Sequence, residues 1–309
     1  MADYRKYLDP AVLAKISRLE LRARMVVEGF ISGMHKSPYQ GYSVEFATHR
    51  EYVPGDDLRH IDWRLFGRAD RLYIKQYEEE TNLRTHILLD CSRSMDYPDR
   101  TAAPPGADAR MTKYEYACTL AASLIYMIMH QQDACGLLLF DHGVREQIPP
   151  VSSTHQLGAM IELIERNPPD KTTEVKMLFS RLAEQLKQRS LIIVISDLLT
   201  GAEDVIRGLE RLRYTRHDVI VLHVLDHDEI EFPFTENVMF EGLEAPDIQL
   251  LTDPQSLRAS YRAIVQRFIG QIRSACANHR IDYRLMSTRD PVDAALSSFL
   301  AARMHAMAR

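Results

Sequence analysis

A chain of 309 residues, 46% apolar and 26% charged, can bury a substantial core and lacks the bias of a disordered or fibrous protein. Its net charge of −5 offers no attraction to phosphate backbones or anionic lipid, which removes nucleic acid and membrane surfaces as default partners. Cys91, Cys118, Cys135 and Cys276 are scattered without a Cys-x-x-Cys pair, so neither a disulfide scaffold nor a zinc knuckle is expected, and a reducing, cytoplasmic setting is.

The opening residues MADYRKYLDP lack the apolar run of a signal peptide. The longest uncharged stretch, 117–129, falls short of the about 20 residues that a bilayer requires and reads as a buried helix. Asp9-Pro10 starts a helix to about Met34, with an N-cap side chain followed by a residue that needs no amide hydrogen. Residues 41–80 read as short strands and loops around a polar, turn-rich middle. From Leu83 the pattern becomes strand alternating with helix. An apolar run at His86–Leu89 ends in Asp90; after a Pro- and Gly-rich loop, Thr112-x-x-Glu115 forms a capping box ahead of a helix to about Gln131.

Ala134–Phe140 is a buried strand, and Ser153 and Thr173 each open an amphipathic helix. Leu191–Ile195 is a run of five aliphatics ending at Ser196-Asp197. Residues 203–213 are helical and 219–225 form a strand. Residues 228–253 break the rhythm as an insertion with two strand-like pieces near Phe240 and Leu250. Asp253-Pro254 starts a long helix, Ile281–Met286 is the last strand, and Asp290-Pro291 starts the final helix. Continuous apolar strands separated by amphipathic helices predict an α/β, doubly wound, mostly parallel sheet. The division expected is a helical and β-rich segment at 1–80 and the α/β domain at 81–309.

Ligands of an open parallel sheet bind beyond the carboxyl ends of its strands. Two such ends here carry hard oxygen donors: Asp90-x-Ser92-x-Ser94 after one strand and Asp197 after another. Carboxylates with uncharged hydroxyls suit a small divalent cation, Mg²⁺ first, with Mn²⁺ or Ca²⁺ as alternatives. The same residues have a second reading in which Ser92 and Ser94 cap a helix and Asp90 bonds loop amides. Cys91, inside the motif, reads as a small packed residue.

The pattern Asp90-x-Ser92-x-Ser94 after the first strand of an α/β domain resembles the metal-ion-dependent adhesion site of von Willebrand factor A domains. That resemblance, over about 83–309, implies that Asp90, Ser92, Ser94 and Thr173 approach the metal, with Asp197 direct or through water. Thr172 rivals Thr173 for the threonine role. A narrower resemblance spans almost the whole chain. Gly41–Phe46, then Arg50-x-Tyr52-x-Pro54-Gly55-Asp56-Asp57-x-Arg59-x-Ile61-Asp62-Trp63, then Lys75 and Glu80, resemble the bacterial domain-of-unknown-function family fifty-eight. It implies an adaptor or co-chaperone of a MoxR-type AAA+ ATPase, and the adhesion-site resemblance implies that an acidic residue of that ATPase or its client completes the metal's shell. The membrane helices of many relatives do not carry over.

The charged signature reads either as a structural clasp, with Trp63 anchoring it to the core, or as a docking surface. A metal-dependent hydrolase using Glu174 as base is the rival to a binding module, and a metal-free scaffold is the third reading. A further metal site at His223, Asp226, His227 and Asp228 is set aside because these residues suit a strand and its turn.

Overall fold

The computed structural model describes residues 44–53, 61–69, 71–79, 84–98, 110–153, 156–170, 175–236, 238–242 and 249–307. The expected N-terminal helix, Thr172, Thr173 and Glu174 lie outside the described residues. The chain divides into two compact units, one within Glu28–Asn82 and the other containing Leu83–Arg309.

In the first unit, β1 (Val44–Glu51) pairs antiparallel with β2 (Tyr73–Glu79), with a register shift between Phe46 and Thr48. The sequence reading missed α1 (Trp63–Ala69), a helix of only two turns containing Gly67. Asp62 starts it, its Oδ1 accepting from the amides of Arg64 and Leu65 at 2.9 and 3.1 Å. Trp63 meets Phe66 edge-on at 6.2 Å within this unit.

The second unit is built on a six-stranded sheet. Its strands are β3 (Arg84–Asp90), β4 (Ala134–Phe140), β5 (Val144–Val151), β6 (Leu191–Ser196), β7 (Asp218–Leu225) and β10 (Asp282–Ser287), in the order β10-β7-β6-β3-β4-β5. All pairings are parallel except that of β5, which runs antiparallel at the edge. β4, β6 and β7 are buried along their whole length, as strands covered on both faces must be. This is the predicted α/β, doubly wound, mostly parallel architecture.

One face of the sheet packs against α4 (Val175–Gln185), α5 (Ala202–Tyr214) and α7 (Pro254–Asn278), with Leu88, Phe140, Phe179, Val194, Leu209, Val221 and Ile272 in a continuous core. The other is covered by α2 (Lys113–His130), which packs against α3 (Gln156–Arg166) and α8 (Val292–Met307). α2 is buried almost all round, so its sequence shows little amphipathic alternation. The predicted capping box is present: Thr112 Oγ1 accepts from the Glu115 amide, and Glu115 Oε2 accepts from the Thr112 amide, both at 3.1 Å.

Between β7 and α7 the insertion forms a five-residue helix, α6 (His227–Glu231), and a hairpin of β8 (Val238–Glu241) and β9 (Gln249–Thr252). Rings of Phe232, Phe234, Phe240 and Tyr261 pack there with centroids 4.5–5.5 Å apart. The sequence reading missed β5 because it is an edge strand with no buried residue and carries Pro149-Pro150. Those prolines cap the sheet against further pairing, and β4 accommodates them with Gly136 beside a register shift. A Cβ on Gly136 would stand 2.7 Å from Pro150 N and 2.8 Å from Ile148 O, both backbone atoms. Gly136→Ala should therefore lower unfolding stability by about 1–3 kcal/mol in urea, with an unchanged midpoint contradicting the packing described.

Candidate functional site

The chain lays down β3, β4 and β5 outward in one direction, then returns to place β6 on the other side of β3. The carboxyl ends of β3 and β6 thus flank the topological switch point, where a doubly wound sheet opens a crevice. Leu89 pairs with Ile195, so the next residues, Asp90 and Ser196-Asp197, emerge side by side.

Asp90 is fully buried. Its Oδ1 accepts from the Ser92 amide at 2.9 Å and its Oδ2 from Ser196 Oγ at 2.5 Å. A 3₁₀ turn, Arg93–Asp96, follows at once. Ser92 stands at the N-cap of this turn, yet its side chain makes no cap; its hydroxyl lies 3.1 Å from that of Ser94. Asp90 does bond a loop amide, as the metal-free reading expects, but the serine pair does not cap.

Asp197 lies beside Asp90 on the adjoining strand and accepts from the Leu199 amide at 3.1 Å. Its other oxygen, Oδ2, is held at 2.7 Å by the ammonium of Lys113, the first residue of α2. The same ammonium lies 2.6 Å from Glu229 Oε1, and none of it is exposed. Four of the five expected site residues, Asp90, Ser92, Ser94 and Asp197, are therefore brought together; Thr173 lies outside the described residues.

The sequence reading missed Lys113 and Glu229. A cation in the first turn opposes the helix dipole, a signal that Lys113 needs acidic neighbours. For Glu229 the signal is its spacing from Asp226, a second capping box that starts α6: the Asp226 amide donates to Glu229 Oε2 at 2.8 Å. The residues set aside as a further metal site have other work. His223 bonds the Asp197 carbonyl and the Tyr283 hydroxyl, each at 2.8 Å. Asp226 caps α6, and Asp228 binds Arg110 and Tyr97. Cys91 is fully buried, which pushes its thiol up to about 12 and leaves it inert at neutral pH.

Whether this donor set fits a divalent cation can be judged from its geometry. Ligands on adjacent corners of a Mg²⁺ octahedron stand about 3 Å apart, which matches the Ser92–Ser94 hydroxyl separation of 3.1 Å. Among the described residues no cationic side chain pairs with Asp90, whose neighbour Asp197 is also an acid. Two hydroxyls spaced as ligands beside a buried, uncompensated carboxylate fit the group. Among the same residues no cluster of three or more His, Cys, Asp or Glu is placed to share a metal, so the hydroxyls are essential to the fit.

The electrostatics follow from burial and from where Lys113 points. Burial first, then repulsion from Asp197, pushes Asp90 up to about 7. Burial also works to raise Asp197, but the Lys113 ammonium with its hydrogen bond outweighs it and holds that carboxyl below its ordinary value. Glu229, sharing the same ammonium, stays above its ordinary value because of burial, with the nearby Asp197 adding to it.

An acid whose pKa rises on folding holds its proton more tightly in the native state; its contribution is full at low pH and is lost as pH climbs through the folded value. His86 and His223, both lowered to about 4 by burial, act in the opposite sense and only below 6.5. With a chelator present, the stability of the wild type relative to Asp90→Asn, followed by melting temperature, should fall as pH rises from about 4 to about 7 and level off above that. An equal slope in the variant contradicts this assignment.

The model of the family described as "Protein of unknown function DUF58" matches residues 48–268. The uncharacterized proteins Rv1480 of Mycobacterium tuberculosis (strain ATCC 25618 / H37Rv) and Mb1516 of Mycobacterium bovis are each 24% identical over 271 residues, covering 84% of this chain and 82% of theirs. Among solved structures, BatB from Bacteroides thetaiotaomicron is 16% identical with a TM-score of 0.46, covering 72% of this chain and 99% of that one. The SpRpn10 VWA domain is 13% identical with a TM-score of 0.39, covering 70% and 94%. At such scores neither structure adds to the fold assignment, which rests on strand order and direction. The family match spans more than two thirds of the sequence, and the chain belongs to the DUF58 family.

Proposed function

We propose that the protein is a binding module, not a catalyst, that grips an acidic side chain of a partner protein through a divalent cation at the switch point. The observation that carries this reading is the Ser92–Ser94 pair, two buried hydroxyls 3.1 Å apart beside a carboxylate that no described cation neutralises. Asp90, Ser92 and Ser94 are the residues that would hold the cation, with Thr173 as an expected further ligand. Mg²⁺ is the proposed ion, with Mn²⁺ or Ca²⁺ able to replace it. When bound, the cation would supply a Lewis-acidic vacancy that a visiting carboxylate fills.

The chain's own part is positioning. The Ser196 hydroxyl and the Ser92 amide hold Asp90 in one orientation. The start of the 3₁₀ turn sets the two serines side by side. The hydroxyls bring no charge, so a cation seated there keeps enough of its own to attract an anion. Water activation is the weaker reading, because among the described residues Glu229 is committed to Lys113 and the cap of α6, and His223 to Tyr283 and the Asp197 carbonyl, while Glu174 lies outside them.

The partner proposed is a MoxR-type AAA+ ATPase or its client, met in the cytoplasm. The support for that partner is family membership together with the acid-seeking chemistry of the site. Four unpaired cysteines suit a reducing compartment, and no described helix is long and apolar enough to cross a membrane.

Mn²⁺ titration followed by electron paramagnetic resonance should show one site per chain in the wild type. Asp90→Ala and Ser92→Ala should each weaken it by about tenfold or more. Recombinant MoxR-type ATPase should be retained by immobilised wild type in Mg²⁺ and released by a chelator. Retention by Asp90→Ala at full affinity contradicts the reading.

A further inference from the structure

Lys113 has no counterpart in the donor set just described, although its ammonium is fully buried against it. Burying an ammonium is favourable only if anions repay the lost hydration, and here two do. Asp197 Oδ2 lies at 2.7 Å and Glu229 Oε1 at 2.6 Å. The helix dipole at the first residue of α2 opposes this charge, so those two carboxylates are what keep it in place. Asp197 is thus already matched with a cation from its own chain, while Asp90, on the adjoining strand, is not.

We propose that Lys113 is a built-in competitor for the site's cation: by holding Asp197 it keeps that carboxylate from serving a divalent ion seated on Asp90, Ser92 and Ser94. The inference rests on the proposed function and deepens it. With one of its two acids withheld, the site binds the ion weakly alone and firmly only when a partner's carboxylate supplies the missing anionic ligand. Ion and partner then promote each other's binding by the same factor, as linkage requires. Glu229 keeps the lysine in this role, since its second oxygen is fixed by the Asp226 amide at the start of α6. A lysine that merely balanced charge for folding would not alter which oxygens the ion can reach.

Lys113→Met alone leaves two buried acids facing each other and can fail to fold. The test therefore pairs it with Glu229→Gln, which keeps an acceptor for the cap and removes one of the stranded charges. Mn²⁺ affinity of the full chain is measured by paramagnetic resonance and calorimetry, with cooperative thermal unfolding as the check on folding. The double variant should bind Mn²⁺ about tenfold tighter than wild type, and adding Asp197→Asn should return the affinity to the wild-type level. Mn²⁺ binding absent from wild type but gained by the double variant also supports the competitor role, while removing the native cation site. Unchanged or weaker binding in a cooperatively unfolding double variant overturns the inference, as does a gain that survives Asp197→Asn. Absence of binding in every form overturns both this inference and the reading beneath it.

Discussion

The interaction on which the rest depends is the sharing of one buried ammonium by Asp197, at the end of β6, and Glu229 of α6, which leaves Asp90 at the end of β3 with no described cation beside it. Asp90 and Asp197 are both withdrawn from water, and in a low-dielectric interior neither could remain ionised without nearby opposite charge or donors. The protein treats them unequally. Asp197 receives Lys113 and the Leu199 amide and stays below its ordinary pKa; Asp90 receives hydroxyl and amide donors only and is raised.

The sheet's topology makes the asymmetry possible. Because β6 returns to the far side of β3, the two strand ends lie next to each other while the helices that follow depart to opposite faces. α2 then enters with its first residue aimed at Asp197, fixed by the Thr112–Glu115 box and by the bond from the Lys113 amide to the Tyr97 carbonyl at 2.7 Å. α6, started by Asp226 and Glu229, closes the other side of the ammonium. Local capping chemistry, readable in the sequence, thus places the long-range charge contacts that the sequence alone does not display.

That distinction explains what was legible. β3, β4, β6 and β7 were readable because strands covered on both faces are runs of aliphatic residues, and α2 and α7 because their starts carry Thr112-x-x-Glu115 and Asp253-Pro254. β5 was not, since an edge strand need not be apolar, and α1 and α6 are too short to show a period. Asp90, Ser92, Ser94 and Asp197, which the fold brings together, stand out in the sequence by their places at strand ends. The role of Lys113 was hidden because its partners are 84 and 116 positions away and belong to elements that no local pattern brings together.

The central claim is that the hydroxyls of Ser92 and Ser94 and the carboxylate of Asp90 form a seat for a divalent cation. The most direct measurement is a crystal structure of the chain grown with Mn²⁺ and recorded at a wavelength where manganese scatters anomalously. The account predicts a single strong peak about 2.0–2.2 Å from both serine hydroxyl oxygens, with Lys113 still on Asp197. Crystals that hold manganese elsewhere, or in which Ser92 and Ser94 bond only to each other at saturating Mn²⁺, would contradict it.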